Sequence, residues 1–286
     1  MKKILTGLFF SATRLWAQLP ETDLVLAEIE IKNNLVKIEK AESISNHKGY
    51  NNQPYFTPDG KSILFSSETG TDKKIHTCLY KIKPKEIVQV TKTNTSEYSP
   101  MIAPDGSISC VVVEEDSVQR IWLYDAKTGE RKTCLTENTD SIGYYWRVGK
   151  DTLMYYKLTD PHSLRVQDLK TGEDNWLCDR PARSFRKINA HTLFYVIQGE
   201  KENRLFFYDT HIKKATLYAT DKPGNQDYVW LDALGMIKSE GSKLLRYSTE
   251  TKVWVEVADF SAYKITKITR FAFSPDKKHL ALVSNL

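Results

Sequence analysis

Residues 55 to 65 read YFTPDGKSILF. A Pro-Asp-Gly stands between two runs of aromatic and branched apolar residues, and its chemistry is that of a tight turn. Pro58 presets the first central position of a type I turn, and Asp59 suits the second. Gly60 supplies the left-handed residue that closes a three-residue hairpin with a bulge. The flanks PYF and SILFSS therefore predict paired antiparallel strands.

The motif returns as MIAPDGSISCVVV at 101–113 and FAFSPDKKHLALV at 271–283. From Pro58 to Pro104 is 46 residues and from Pro58 to Pro275 is 217. Five repeats over that span give a period of about 43, within the range of propeller blades. Degenerate copies stand where this period requires them: WRVGKDTLMYY from Trp146, KINAHTLFYVI from Lys187 and WLDALGMIKS from Trp230. They keep the apolar strands and lose the turn residues.

A second strand-turn-strand element interleaves at the same period. Its copies are RIWLYDAKTGERKTCLT, LRVQDLKTGEDNWLC, RLFFYDTHIKKATLYA and LLRYSTETKVWVEVA, with CLYKIKPKEIVQVT as a looser one. An Asp or Ser cap and a Lys-Thr-Gly tip fit the turn. Four strands per repeat make a propeller blade.

The two ends fix the count. After FAFSPDKKHLALV only the first two strands of a blade are present, whereas LAEIEIKNNLVKIEKAES at 26–43 reads as a third and fourth strand with no first or second before it. The amino-terminal pair is thus expected to complete the last blade, giving an all-β, six-bladed β-propeller with four antiparallel strands per blade and few exposed edges. A tandem of separate β domains explains neither truncated end.

The YFTPDGKSILFSS and FAFSPDKKHLALV elements resemble the repeats of TolB-like β-propellers, exported six-bladed proteins of Gram-negative bacteria. The likeness extends over nearly all of the chain after residue 18, with the motif clear in three of six blades. It implies a periplasmic protein that binds partners of the cell envelope. TolB itself carries an α/β domain ahead of its propeller. Only a few residues separate Gln18 from the first expected strand, so TolB's full role does not carry over.

Composition agrees with a soluble globular chain: 41% hydrophobic, 27% charged and 11% aromatic over 286 residues. MKKILTGLFFSATRLWAQ has a positive start, a short apolar run from Ile4 to Ala12 and a small residue at Ala17, which reads as an export signal over 1–17 ahead of one propeller domain over 18–286. Arg14 interrupts that pattern, and Leu15 is bulky for its place. The run is too short to span a bilayer, and no later run is apolar enough. Without Lys2, Lys3 and Arg14 the 41 basic residues fall to 38 against 36 acidic, and no basic stripe stands out, so no nucleic-acid partner is expected. Cys78, Cys110, Cys134 and Cys178 permit three complete pairings, but their spacing matches no zinc ribbon or redox motif. Their strand-like surroundings suit small buried hydrophobes.

Strand alternation puts all the Pro-Asp-Gly and Lys-Thr-Gly turns at one end of the ring, where Pro58, Asp59 and Gly60 serve strand register. The opposite end receives longer, dissimilar loops, including SETGTDKKIH, KLTDPHS, DRPARSFRK and DKPGNQDY, and recognition is usually built on such loops. At its channel mouth the residues leading into the innermost strands include Gln53, Tyr98, Tyr144, Arg183, Arg186, Asp227 and Arg270. Aromatics and arginines with one carboxylate suit a peptide or protein surface. The plainer reading has Tyr98 and Tyr144 packing between blades and the charges solvated.

No nucleophile elbow, metalloprotease helix, phosphate loop or dinucleotide fingerprint occurs. His76 and His162 fall near corresponding loops two blades apart, where a shared site is conceivable, although loop histidines more often solvate and further metal ligands cannot be named. Glu114 and Glu115 read as a solvated loop tip. The sequence therefore points to an exported, non-catalytic propeller without cofactor or metal, a monomer or part of an envelope complex, that binds a protein, peptide or envelope component. The alternative is a propeller enzyme, a lyase or hydrolase acting on a carbohydrate or lactone at the channel mouth.

Overall fold

The computed structural model describes residues 19–45, 47–71 and 73–285. The export segment expected over 1–17 lies outside them. Two strands come first, β1 (Thr22–Lys32) and β2 (Leu35–Ser43). Blade one follows with β3 (Asn51–Phe56), β4 (Ser62–Thr69), β5 (Lys74–Lys81) and β6 (Glu86–Gln89). Blade two has β7 (Ser96–Ile102), β8 (Ile108–Val113), β9 (Gln119–Tyr124) and β10 (Arg131–Cys134). Blade three has β11 (Ile142–Arg147), β12 (Thr152–Lys157), β13 (Ser163–Asp168) and β14 (Asp174–Asp179). Blade four has β15 (Arg186–Lys187), β16 (Thr192–Ile197), β17 (Asn203–Asp209) and β18 (Lys214–Asp221). Blade five has β19 (Tyr228–Leu231), β20 (Gly235–Glu240), β21 (Lys243–Tyr247) and β22 (Trp254–Asp259). The last strands are β23 (Ile268–Phe273) and β24 (His279–Asn285).

Every sheet has four antiparallel strands, and the sixth runs β2-β1-β24-β23. Thr22 lies opposite Asn285, Leu24 opposite Val283 and Ala27 opposite Leu280. The amino-terminal pair therefore zips onto the carboxyl-terminal pair, as the repeat arithmetic predicts. No helix among the described residues is long and apolar enough to cross a membrane.

Alternation along the second strand of each blade explains how the ring is held. Successive side chains of a strand face opposite sides. In β4, Ile63 and Phe65 pack with Leu24, Leu26 and Val283 of blade six, while Leu64 points the other way to Ile108, Cys110 and Tyr124 of blade two. In β12, Leu153 and Tyr155 join Val111 and Ile121 of blade two, and Met154 and Tyr156 join Phe185, Leu193 and Tyr195 of blade four. The same holds for β24, where Leu280 and Leu282 face blade five and Ala281 and Val283 face blade one. Six apolar clusters thus lie in the six seams between neighbouring blades. A strand buried on both faces has to be apolar continuously, which is why SILFSS, ISCVVV and TLMYYK show no alternation. Each fully buried Leu or Phe contributes about 1.5–3 kcal/mol relative to exposure.

The opening turn has the expected chemistry. Gly60 N–H donates to Thr57 O at 2.8 Å, Thr57 Oγ1 donates to Asp59 Oδ1 at 2.7 Å, and Gly60 takes φ +69°. At the other tips Asp125 Oδ1 accepts from Lys127 N and Thr128 N, and Asp168 Oδ1 accepts from Lys170 N and Thr171 N. Cys78, Cys110 and Cys178 are buried free thiols, and Cys134 is partly exposed.

Candidate functional site

The inner strands of blades one, two, three and six each carry a register shift near their first residues, at 52/55, 98/101, 142/144 and 268/270. Such bulges re-aim side chains, here toward the ring axis. Gln53 and Ser99, each just before a proline, take left-handed φ values of +60° and +53°. A strained backbone at non-glycine positions needs surrounding bonds to hold it. Gln53 Oε1 supplies them, accepting from Ser66 Oγ at 2.8 Å in its own blade and from Ser99 N at 2.7 Å in the next.

Around the axis the inner strands enclose a cavity of about 110 Å³. Of the residues predicted from sequence, Gln53, Tyr144, Arg183, Arg186, Asp227 and Arg270 line it. Tyr98 is not among the lining residues; its ring stands edge-on to Tyr50, centroids 6.2 Å apart. Sequence reasoning missed Tyr55, Met101, Trp146, Phe185, Tyr228 and Phe271, which are among the other lining residues. Tyr55, Trp146 and Arg186 hold one register position, opposite Leu64, Met154 and Phe194 of the second strands. Stepping two residues inward from each predicted mouth residue would have found Tyr55 and Trp146.

The charges in the cavity differ in how they are compensated. Arg183 Nε donates to both Asp227 oxygens at 3.0 and 3.1 Å, its second nitrogen also reaches Asp227, and that nitrogen donates to Thr269 O at 2.8 Å. Burial pulls the Arg183 guanidinium down, but Asp227 more than reverses this and leaves it above its ordinary value. Arg270 lies over the face of Tyr144, 5.4 Å from its centroid, with only a long approach of 3.7 Å to Asp227. Burial would raise the Tyr144 phenol, yet Arg270 and Arg183 together bring it below the usual value.

Arg186 is the outlier. Its guanidinium lies 5.0 Å from the Trp146 centroid, its Nε, like that of Arg270, is sealed from solvent without a hydrogen-bond partner, and unlike Arg183 and Arg270 it approaches no carboxylate among the described residues. The side chain keeps some exposed area, but the protein around it strips most of its water. This desolvation pushes its pKa down to about 10, against the pull of Asp227 and Tyr55. It remains a cation at neutral pH. Three guanidiniums against one carboxylate leave two positive charges in excess within a wall that is otherwise uncharged and rich in aromatic rings.

Two readings of other side chains are corrected by the fold. His76 is not a solvated loop residue: it is buried in β5, with Nδ1 3.0 Å from Glu97 Oε2, and Thr91 Oγ1 donates to the same oxygen at 2.9 Å. His162 packs instead on Tyr156, centroids 5.2 Å apart, so the two histidines serve separate places. Glu114 is not a free loop tip, since it accepts from Arg120 at 2.6 Å and from Trp122 Nε1 at 2.7 Å. Among the described residues no three His, Cys, Asp or Glu side chains gather as a metal would require.

No family model matches the chain, and no curated protein matches it. Solved structures do. The putative TolB from Agrobacterium tumefaciens superimposes with a TM-score of 0.64 at 13% identity, covering 94% of this chain and 99% of that one. The fold is a TolB-like propeller. TolB from Acinetobacter baumannii gives a TM-score of 0.52 at 19% identity over 70% of this chain, and the chain spans about half, 51%, of that protein. An oligogalacturonate lyase solved with manganese gives 0.55 at 12% identity, covering 86% of this chain and 80% of its own. At these identities the likeness concerns architecture, which the TolB structures and an oligogalacturonate lyase share.

Proposed function

We propose that the chain is an exported, periplasmic propeller that docks a protein, a peptide or another envelope component at its channel mouth, without chemistry of its own. Residues 1–17 serve as the export signal and 18–286 as one propeller domain, alone or within an envelope complex. The observation that carries this reading is a cavity built where all six inner strands begin, with Arg183 fixed by Asp227 and Arg186 and Arg270 resting on aromatic rings. Anchors already held in place lose little entropy on binding. Arg, Trp and Tyr are also the side chains that most often dominate interface energetics. Recovery of partners from envelope extract by the wild type and by an Arg183→Ala/Arg186→Ala variant tests it; equal recovery would remove this face from consideration.

One observation favours a second reading, an enzyme acting on a carbohydrate or lactone. A phenol brought below its usual value by two guanidiniums, as at Tyr144, is a candidate proton-transfer group. Turnover of an acidic oligosaccharide that disappears in Tyr144→Phe would select this reading over docking.

A further inference from the structure

We infer that the channel mouth holds a subsite for a single carboxylate, received by the planar edge of Arg186 with Arg270 beside it; this rests on the docking reading. The pairing pattern inside the cavity points there. Asp227 is already taken by Arg183 through both oxygens, and Thr269 O accepts from the same guanidinium. Arg186 is left with Trp146 on its face and no anion at its edge. A buried cation without a counter-charge is costly, and an incoming anion removes that cost.

Geometry and charge select the kind of anion. The guanidinium carbon of Arg186 lies 5.0 Å from the Trp146 ring centroid and Nε is sealed, so the terminal N–H groups are the part left to a ligand, and their paired edge matches a carboxylate in two parallel hydrogen bonds. A phosphate dianion is matched less well. Desolvation grows with the square of the charge, and the Asp227 carboxylate in the same lining repels a dianion more than a monoanion. No lysine lines the cavity, and its volume of about 110 Å³ suits one small group better than a whole sugar or base. The carboxylate can belong to a chain terminus or to an acidic side chain.

The test is titration of the full chain, by calorimetry and tryptophan fluorescence, with N-acetylglycine, N-acetyl-aspartate α-amide, N-acetylglycinamide and inorganic phosphate. Saturable binding of either carboxylate, with at least about tenfold weaker binding of neutral N-acetylglycinamide, is expected from the worth of hydrogen bonds to charged groups. The tighter of the two carboxylates tells terminus from side chain. Arg186→Met should weaken the carboxylate by at least about tenfold while holding or raising the melting temperature, because it deletes an uncompensated, largely desolvated charge. Arg186→Gln is the second variant should Met disturb the fold. The inference is overturned if neither carboxylate binds, if the amide or phosphate binds as tightly as the carboxylates, or if the Arg186 variants bind unchanged. The two readings fail separately. Carboxylate binding by the wild type together with full partner recovery by Arg183→Ala/Arg186→Ala removes docking and leaves the subsite; partner recovery that depends on the arginines, without carboxylate binding, removes the subsite alone.

Discussion

Lys238 of blade five and Asp221 of blade four form an ion pair in the seam between their blades, with side chains 3% and 2% exposed. Lys238 stands at the register position that other blades give to Phe65, Tyr155 and Leu282. Around the pair, Tyr228 Oη donates to the other Asp221 oxygen at 2.9 Å, the half-exposed Glu240 carboxylate lies 3.4 Å from Lys238 Nζ, and the Trp254 ring lies 4.8 Å from Nζ. Removing one member of such a pair strands the other charge. Lys238→Met should therefore cost about 3–5 kcal/mol, and Lys238→Met/Asp221→Leu should regain most of that. Urea denaturation of both variants decides it; a single variant as stable as the wild type would show that the pair is not desolvated.

That pair also marks what the sequence could and could not convey. Six blades were legible because three are announced by a Pro-Asp turn between continuous apolar runs, and the other three keep apolar runs at the same period. The residues leading into the mouth were legible because strand direction can be counted. Their engagement was not, since it depends on neighbours far along the chain. Arg183 meets Asp227, Gln53 meets Ser99, and His76 meets Glu97, each across a seam or a loop. In GMIKSE nothing local to the lysine marks it as buried, and the apposition of blade four makes it a core residue.

The third copy of the opening turn departs from the other two. Gly60 and Gly106 take φ +69° and +83°, and Lys277 takes +61° at the matching place. A side chain there costs about 1–2 kcal/mol, partly offset because glycine loses about 0.5–1 kcal/mol more backbone freedom. Lys277→Gly should stabilise by roughly 0.5–1 kcal/mol, and Gly60→Ala should destabilise by a similar amount. Thermal melts of the two variants shifting the same way would contradict this account.

Gly129 and Gly172 occupy the same tip of successive Lys-Thr-Gly turns, at φ +73° and +75°. Strain alone would make alanine equally costly at both. At Gly172 an added Cβ meets nothing within 4 Å, whereas at Gly129 it would come 2.0 Å from the Val90 carbonyl oxygen of blade one. Gly172→Ala should cost about 1 kcal/mol, and Gly129→Ala clearly more, because backbone has to move. Equal denaturation midpoints would mean that the blade one contact yields freely.

Acid sensitivity should originate at these tips. The Asp125 carboxyl is lowered first by the Thr128 N–H and then by that of Lys127, Asp168 by Thr171 and Lys170, and Asp209 by Ile212 and His211. Each folded group titrates below its unfolded counterpart near about 3.9. The bonds thus stabilise fully above that value and are lost as pH falls through the folded pKa. A variant carrying Asp125→Asn, Asp168→Asn and Asp209→Asn keeps an oxygen acceptor at each tip but has no proton to take up. Its stability should fall less steeply than the wild type's below pH ~4, measured as urea midpoint against pH.

Thiol reactivity tests the seams directly. Burial pushes Cys78 and Cys178 up to about 12 and holds Cys110 well above its ordinary value, so none of the three presents thiolate at pH ~8, where the reactive species is the anion. Cys134, on outer strand β10, is partly exposed and raised less, with its thiol 3.7 Å from Ile121 O. Under native conditions a thiol reagent should therefore label Cys134 first, and Cys134→Ser should remove that phase. The remaining thiols should appear only as denaturant opens the ring. Early labelling of Cys110 would mean that the seam between blades one and two opens without global unfolding, against the continuous packing of Leu64, Ile108 and Tyr124 around it.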